Sequence, residues 1–280
     1  MIRLGICAGW ERAGQAANIG YDYIEMGLAA TASMTDKDYH TALETVLTSP
    51  IRAEAFNVML PSTLSLTGAD ISLDPVITYL ERAIPRAAAF GAQVIVFGSG
   101  GARRVPERWD TDSAWAQLIA FLRVCLPYLE EHGIALAIEP LRKAETNIIH
   151  TVREGASLAA AVGYPFGGES RFSSYGERRA DVNRWIGVLG DTYHMAAEGE
   201  GYQSLIDAKD LLKHVHTAES ATRAYPSIGD GTDYKGLFAA LNSAGYSGRV
   251  SVEGRTDDFD TDAPRALAAL QDARDKAFTI

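Results

Sequence analysis

Cysteine is scarce in this chain of 280 residues, which contains only Cys7 and Cys125. Two cysteines in apolar stretches cannot build a disulfide framework or a zinc ribbon, and a reducing cytoplasm is the simplest setting for them. Long apolar runs are missing as well, since the longest have the length of a strand, so we expect no membrane partner. The start, MIRLGICAGW, resembles a β-strand and lacks the layout of a signal peptide. We therefore expect a cytoplasmic protein.

Positive charge is also in deficit. The chain has 26 Lys and Arg residues against 36 Asp and Glu residues, which gives a formal net charge of -10. A nucleic-acid interface normally shows as a basic patch or stripe, so we expect no nucleic-acid partner. The 47% of hydrophobic residues is ordinary for a globular protein with a large core. An acidic composition is also compatible with a metal site lined by carboxylates.

A dinucleotide-binding glycine motif is absent too, because no G-x-G-x-x-G pattern follows the first apolar run. Short β-rich runs instead alternate with longer helical patterns along the whole chain. The predicted strands are Arg3–Cys7, Tyr21–Met26, Ala53–Met59, Gln93–Phe97, Ala135–Glu139, Ile186–Asp191, His214–Thr217 and Arg249–Glu253. Eight strands separated by helices, without a low-complexity linker, predict a single (β/α)8 barrel domain over residues 1–280.

Local signals place the ends of two helices. Asp74 followed by Pro75 predicts an N-cap with proline in the first turn. Asp112 is expected to cap the next long helix, which should stop at His132 and Gly133.

The interval from Gly163 to Arg184 is too long for a simple connection between the fifth helix and the sixth strand. A segment that enters a strand lies on the face of the barrel away from the chemistry. We expect a surface insertion at 163–184, which either contributes to an oligomer contact or is a tolerated loop.

Polar side chains stand where four of the predicted strands end. Glu139 closes the fifth strand, and Asp191 closes the sixth, with His194 in the following turn. His216 lies near the end of the seventh strand, and Glu253 ends the eighth. Catalytic groups in such barrels come from the carboxyl ends of several strands, so these side chains are expected to meet at one mouth.

Three carboxylates and one imidazole suit a divalent ion such as Mn²⁺, Co²⁺ or Mg²⁺. Without a cation, the carboxylates would repel one another and raise each other's pKa values. The sequence therefore predicts a metal site made by Glu139, Asp191, His216 and Glu253. His214 is expected one layer deeper, as a hydrogen-bonded core residue.

Four segments, IEPLRKAETN, DTYHM, HVHTAES and SVEG, give the chain a wider resemblance. It resembles the xylose-isomerase-like barrel superfamily, and within it the ketose 3-epimerases of the tagatose and psicose type. The resemblance spans nearly the whole chain. One departure is the pair Arg142-Lys143, where the family more usually has Asn-Arg after E-P-L.

The resemblance implies roles for particular residues. Glu139 and Glu253 would be the catalytic acid/base pair and would bind one divalent metal ion, Mn²⁺ by preference, together with Asp191 and His216. The implied substrate contacts are Glu145, His194 and Arg223. The resemblance also implies a homo-oligomer, either a dimer or a tetramer.

The implied reaction removes a proton from the carbon beside a ketone through a metal-stabilised ene-diolate. One carboxylate would act as the base, and the second would return a proton to the opposite face of that carbon. Such an enzyme is an isomerase that epimerises or isomerises a sugar or sugar derivative.

Other functions remain open at the level of sequence. A metal-dependent lyase or dehydratase acting on an oxidised sugar or inositol derivative would use the same two carboxylates. An abasic-site endonuclease is disfavoured, because Asn57 and Gly98-Ser99 stand where further histidine ligands would be needed. A non-catalytic sugar-binding protein is disfavoured by the intact set of ligands.

Two further features are left with two interpretations each. Arg103 and Arg104, in the glycine-rich stretch FGSGGARRVPE, either hold an anion such as a substrate phosphate or are solvated side chains of a flexible turn, and the second is favoured. Glu25, at the end of the second strand, either supports the metal site or forms a salt bridge at the edge of the core.

Overall fold

Strands and helices alternate along the chain in the order that the sequence predicts. The structure is a computed structural model and describes residues 1–163 and 182–278. The strands are β1 (Arg3–Cys7), β2 (Tyr23–Gly27), β3 (Ala53–Asn57), β4 (Val94–Phe97), β5 (Ala135–Ile138), β6 (Ile186–Asp191), β7 (Leu212–Thr217) and β8 (Arg249–Val252). The helices are α1 (Ala13–Ile19), α2 (Leu28–Ser33), α3 (Asp36–Thr48), α4 (Asp74–Phe90), α5 (Thr111–His132), α6 (Val152–Val162), α7 (Thr192–Ala197), α8 (Gln203–Asp207), α9 (Tyr234–Ser243) and α10 (Phe259–Phe278).

The eight strands form one closed parallel barrel. Each strand pairs with the next along the chain, and β8 returns to pair with β1. In that closing pair, Leu4 lies opposite Val250 and Ile6 lies opposite Val252. Because closure leaves no free edge in the sheet, all the carboxyl ends of the strands gather around a single opening. The predicted (β/α)8 barrel is confirmed.

Alternation along each strand separates two layers of core. Outward side chains pack against the helices, as Phe97 of β4 does against Phe121 of α5, with ring centroids 5.0 Å apart. Inward side chains fill the barrel itself and are Tyr23, Ala55, Val94, Val96, Ala137 and Leu189. Gly5 leaves room for the Tyr23 ring, because any side chain at Gly5 would overlap it. These side chains pack the interior of the barrel, and the carboxyl ends of the strands above them are where the site lies.

Two helix starts differ from their predictions. Helix α4 is preceded by Leu73 as the N-cap residue, and Asp74 already lies in its first turn, where Pro75 needs no backbone hydrogen bond. Helix α5 is capped by Asp110, whose side chain accepts a hydrogen bond from the backbone of Ser113 at 2.7 Å. Asp112 also lies in the first turn, so the prediction that it is the cap was wrong.

The end of α5 was predicted correctly. The helix stops at His132, and Gly133 takes a φ of +67°, which a residue with a Cβ adopts only at a cost. The predicted insertion at 163–184 lies mostly outside the described residues, so it stays a prediction. Within residues 1–163 and 182–278, no helix has the length and apolarity needed to cross a membrane.

Candidate active site at the carboxyl ends of the strands

The four residues expected to bind metal converge at the mouth of the barrel. Glu139 follows β5 directly, Asp191 is the last residue of β6, His216 lies in β7, and Glu253 follows β8. Side chains two residues apart on a strand share a face, and each of these four lies two residues beyond a side chain that faces the barrel interior. All four therefore point inward. One ligand atom from each lies within 4.8 Å of the others. The geometry therefore brings together three carboxylates and one imidazole.

His216 is the centre of this cluster. Its side chain is completely buried, and its Nδ1 atom lies 3.3 Å from Glu139 Oε1 and 3.3 Å from Glu253 Oε2. Its other ring nitrogen, Nε2, lies 2.8 Å from Glu25 Oε1 on β2. One ring nitrogen of His216 thus meets the two carboxylates expected to do the chemistry, and the other ring nitrogen is held by the carboxylate of Glu25.

Asp191 shows that the cluster fits a cation. Its Oδ1 atom accepts hydrogen bonds from the backbone N–H groups of Tyr193 (2.7 Å) and His194 (3.3 Å), and so caps α7. Its Oδ2 atom is buried and has no hydrogen-bond partner among the described residues. A buried carboxylate oxygen without a donor is costly, and a divalent ion bound by hard oxygen ligands would satisfy it. The donor set, O₃N, is one that Mn²⁺, Co²⁺ or Mg²⁺ accepts.

The two glutamates have unequal acidities. Burial, and then repulsion from Glu253, raise the pKa of Glu139. Burial also acts to raise the pKa of Glu253, but the attraction of His216 and Arg223 outweighs it and lowers that pKa to about 2. Two carboxylates in one cavity are therefore pushed toward different protonation states, which is the usual arrangement for an acid/base pair.

Charged side chains form the rim beside Glu253. The Arg223 guanidinium donates to Glu253 Oε2 at 2.5 Å, and its other nitrogen lies 3.9 Å from Glu145 Oε1. Arg142 donates from Nε to the same Glu145 oxygen at 2.8 Å. Both arginines lie over the ring of Tyr193, at 4.9 Å for Arg142 and 5.3 Å for Arg223. Two of the predicted substrate contacts, Glu145 and Arg223, are thus linked across the opening.

His194, the third predicted substrate contact, lies inside this rim. Its Nδ1 atom accepts a hydrogen bond from the backbone of Arg142 at 3.4 Å. Its Nε2 atom is buried and has no hydrogen-bond partner in the described part of the chain, although Asp191 Oδ2 is 3.8 Å away and Glu145 Oε2 is 4.0 Å away. A buried ring nitrogen that lies beside two carboxylates of the site and has no hydrogen-bond partner is available to a bound molecule.

The model of the family described as "Xylose isomerase-like TIM barrel" matches residues 13–275. The chain belongs to this family. An L-ribulose 3-epimerase from Methylomonas sp. (strain DH-1) is 28% identical over 261 residues, which are 87% of this chain and 79% of that protein. A 3-dehydro-D-guloside 4-epimerase from Escherichia coli (strain K12) is 32% identical over 139 residues, 48% of this chain and 44% of that protein.

A solved structure of another protein supports the same fold. The 3-keto-D-glucoside 4-epimerase from E. coli superposes with a TM-score of 0.77 at 20% identity, over 97% of this chain and 100% of that chain. The predicted resemblance to ketose 3-epimerases and related sugar enzymes is confirmed by the family and by these relatives.

In this family member the cluster opens into a cavity of about 440 Å³. Glu139, Glu253, Arg223 and Glu145 line one side of it, and the backbone of the loop 98–102 lines another. The volume lies within the range of small-molecule sites, about 300–1,000 Å³. Leu60 and Pro61 add an apolar wall, so the cavity can contact both hydroxyl groups and C–H faces.

The interpretation of Arg103 as a solvated side chain was wrong. Arg103 is fully buried and donates to the backbone carbonyl of Phe97 at 3.2 Å and to that of Glu139 at 2.7 Å. It therefore joins the ends of β4 and β5 beneath the cavity. Arg104 is exposed, and its guanidinium donates to the carbonyl of Glu145 at 2.8 Å.

Two further residues touch the cluster. Glu25, which the sequence left open, is buried and bonded to His216 and His214. Asn57, considered in the sequence only as a missing histidine, lies with Nδ2 3.4 Å from Glu253 Oε1. Both are at inward positions near the ends of their strands, and that position is the signal by which they could have been found.

Proposed function

We propose that this protein is a divalent-metal-dependent sugar epimerase, which inverts a carbon beside a ketone group. The observation that carries the proposal is the pair Glu139 and Glu253, both 3.3 Å from His216 Nδ1 and both at the wall of a cavity of about 440 Å³. The relatives reported above are epimerases of keto sugars, and this supports the same class of substrate here. The enzyme is accordingly an isomerase of carbohydrates.

The proton transfers are assigned to the two glutamates. Glu253 is held ionised by His216 and Arg223, and it takes the proton from the carbon beside the ketone. Glu139, whose pKa burial and Glu253 raise, holds a proton that it returns to the other face. The roles exchange in the reverse reaction. A divalent ion held by Glu139, Asp191, His216 and Glu253 would stabilise the negative charge that develops on the substrate oxygens.

The rim orients the sugar. His194 Nε2, buried and without a partner among the described residues, is available to a substrate hydroxyl group. Glu145 and Arg223, which already contact one another across the opening, can exchange that contact for substrate hydroxyl groups when the sugar enters. Positioning of this kind supplies a large part of the rate enhancement in reactions that need exact alignment of a C–H bond.

The test is exchange of solvent deuterium. The protein is stripped with a chelator, Mn²⁺ is restored, and free ketoses, ketose phosphates and 3-keto glycosides are incubated with it in D₂O. We expect metal-dependent deuterium uptake beside the carbonyl, together with an epimer of the substrate. Loss of water or of an aglycone would instead make the protein a lyase. No exchange on any compound, with Mn²⁺ bound, would overturn the proposal.

Variants test the assignment of the two bases. Glu139→Gln and Glu253→Gln each remove a carboxylate and keep its shape, so turnover should be lost while the fold remains. Glu44→Gln, on the exposed face of α3, is the matched control for loss of one charge. Wild-type turnover in either active-site variant would contradict the two-base mechanism.

The remaining features are proposed on the sequence alone. They are one barrel domain over residues 1–280 with an insertion at 163–184, Mn²⁺ as the metal, a cytoplasmic location and a homo-oligomer. Size-exclusion chromatography with light scattering tests the last of these, and a chain that stays monomeric at working concentration would contradict it.

A further inference from the structure

We propose that Glu25 is a positioning residue, which fixes the ring of His216 so that Nδ1 faces the cation required by the proposed function. The inference rests on that function, since it concerns how one ligand of the cation is held. Glu25 itself is not one of the four proposed ligands, although it contacts His216. It acts from below, through His216.

The hydrogen bonds of Glu25 define the orientation of two imidazoles. Glu25 Oε1 lies 2.8 Å from His216 Nε2, and Glu25 Oε2 lies 2.8 Å from His214 Nε2. All three side chains are fully buried, so no water competes for these contacts. An ionised carboxylate can only accept hydrogen bonds, and each oxygen of Glu25 lies 2.8 Å from one imidazole nitrogen. Each histidine must therefore donate from Nε2.

Donation from Nε2 decides what the other nitrogen of His216 can do. A neutral imidazole carries one proton, so a ring that donates from Nε2 presents a lone pair at Nδ1. That atom is 3.3 Å from both Glu139 Oε1 and Glu253 Oε2, and it faces the position where the four ligand atoms converge. Glu25 thus selects the tautomer that can bind a metal ion.

Glu25 is itself held by a buried line of polar groups. His214 Nε2 lies 3.2 Å from Ser251 Oγ, and Ser251 Oγ lies 2.8 Å from the hydroxyl of Tyr23. The rings of His214 and His216 meet edge to face, with centroids 5.0 Å apart. This line runs through the interior of the barrel up to His216. It allows Glu25 little freedom to take another rotamer, which is what a positioning residue requires.

A glutamine at position 25 would keep the shape and remove the constraint. Its amide can offer an N–H group to His216 Nε2, which favours the opposite tautomer with the proton on Nδ1. The loss of such an outer hydrogen bond typically weakens metal binding by about 10- to 100-fold. A residue that merely fills the core would leave metal affinity unchanged once the protein has folded.

The experiment measures metal binding, without sugar. Wild type, Glu25→Gln and Glu54→Gln are stripped of metal and titrated with Mn²⁺ by calorimetry, and their Co²⁺ complexes are compared by visible absorption. We expect binding about 10- to 100-fold weaker and an altered Co²⁺ spectrum in Glu25→Gln. Glu54→Gln removes another buried carboxylate, which pairs with Arg3 and Arg249 and not with His216, and it should bind as wild type does. Equal losses in both variants, or wild-type binding in Glu25→Gln, would refute the proposal.

A second measurement does not depend on the folding of a variant. The ¹⁵N chemical shifts of the histidine rings in the wild-type protein, with Mg²⁺ added, report which nitrogen carries the proton. We expect the proton of His216 on Nε2, and a proton on Nδ1 would overturn the inference. If the wild type binds neither Mn²⁺ nor Co²⁺, the proposed function fails. If it binds them and Glu25→Gln binds them equally, only this inference fails.

Discussion

Gly98 sets the position of Glu139, and replacing it with alanine is a sharp test of the site. Gly98 follows β4, where the preceding carbonyl of Phe97 accepts a hydrogen bond from the backbone of Glu139. A Cβ atom at position 98 would overlap Glu139 Oε2 and lie 3.3 Å from Glu139 Cδ. Gly98 does not have a positive φ, so alanine is compatible with its backbone. The substitution therefore acts on the carboxylate and not on the loop.

The size of the effect follows from that overlap. To restore ordinary contact, the Glu139 carboxylate must move by about 1 Å. A displacement of that size at a reacting group can cost about 100-fold in rate. A 100-fold loss of kcat/KM corresponds to about 2.7 kcal/mol of transition-state stabilisation. Mn²⁺ binding should weaken as well, because Glu139 is also a proposed ligand.

The assay is epimerisation kinetics on the substrate found by deuterium exchange, together with thermal unfolding. Gly201→Ala is the control. Gly201 is exposed and lies just before α8, does not have a positive φ, and a Cβ atom there would meet no heavy atom within 4 Å. We expect Gly98→Ala to melt as the wild type does but to lose activity, and Gly201→Ala to keep both. Wild-type kcat/KM in Gly98→Ala would refute the placement of Glu139 in the mechanism.

Three further predictions concern stability. Asp110→Ala should lower the free energy of unfolding through loss of the α5 cap, and Asp112→Ala should lower it clearly less. Equal losses in urea unfolding would contradict the assignment of the cap. Arg103→Met leaves two buried carbonyl oxygens without their donor, and should cost about 3 kcal/mol in the same assay. In metal-free protein, burial lowers the pKa of His216, but the surrounding carboxylates, Glu25 first, outweigh it and raise that pKa. The stabilisation from protonated His216 is complete below the unfolded histidine pKa of about 6.5 and is lost as the pH rises through the higher folded value. The melting temperature of the chelated protein should therefore fall as the pH is raised over that interval. With Mn²⁺ bound, the melting temperature should depend less on pH. Equal slopes of melting temperature against pH in the two samples would refute this.

The strands could be predicted from the sequence because burial on both faces leaves a continuous apolar run. β1 and β6 have the predicted bounds, whereas the predicted strand from Tyr21 begins two residues early. At Asp22 the backbone N–H donates to the carbonyl of Leu4 at 2.8 Å, but the backbone N–H of Leu4 donates to the Asp22 carboxylate at 2.7 Å, so a side chain replaces one of the two backbone hydrogen bonds there. Hydrogen bonds of this kind depend on residues of the neighbouring strand, and the residue pattern of one segment carries no information about them.

The candidate metal ligands could be predicted from the sequence for a related reason. Glu139 and Glu253 are polar residues at the ends of apolar strands, and that contrast is visible in a single sequence. The local pattern around Arg103 was misleading, because a basic residue beside glycines is typical of a solvated turn. Its burial depends on two carbonyl oxygens from separate strands, 36 residues apart for the bond to Glu139. A long-range contact of this kind has no local signal.

The charge balance explains why so many acidic groups are buried at one end of the barrel. Four carboxylates lie there with three cationic groups: Glu25, Glu139, Asp191 and Glu253 with His216, Arg223 and Arg103. Such an excess of negative charge works against folding, because each buried anion loses hydration that the available cations only partly replace. A divalent ion would remove the excess and supply Asp191 Oδ2 with its missing partner. Binding to the folded state alone raises stability in proportion to the logarithm of the metal concentration. The same arrangement that makes the metal-free protein less stable therefore makes the site selective for a doubly charged ion, so Mn²⁺ should raise the melting temperature far more than K⁺ at equal ionic strength.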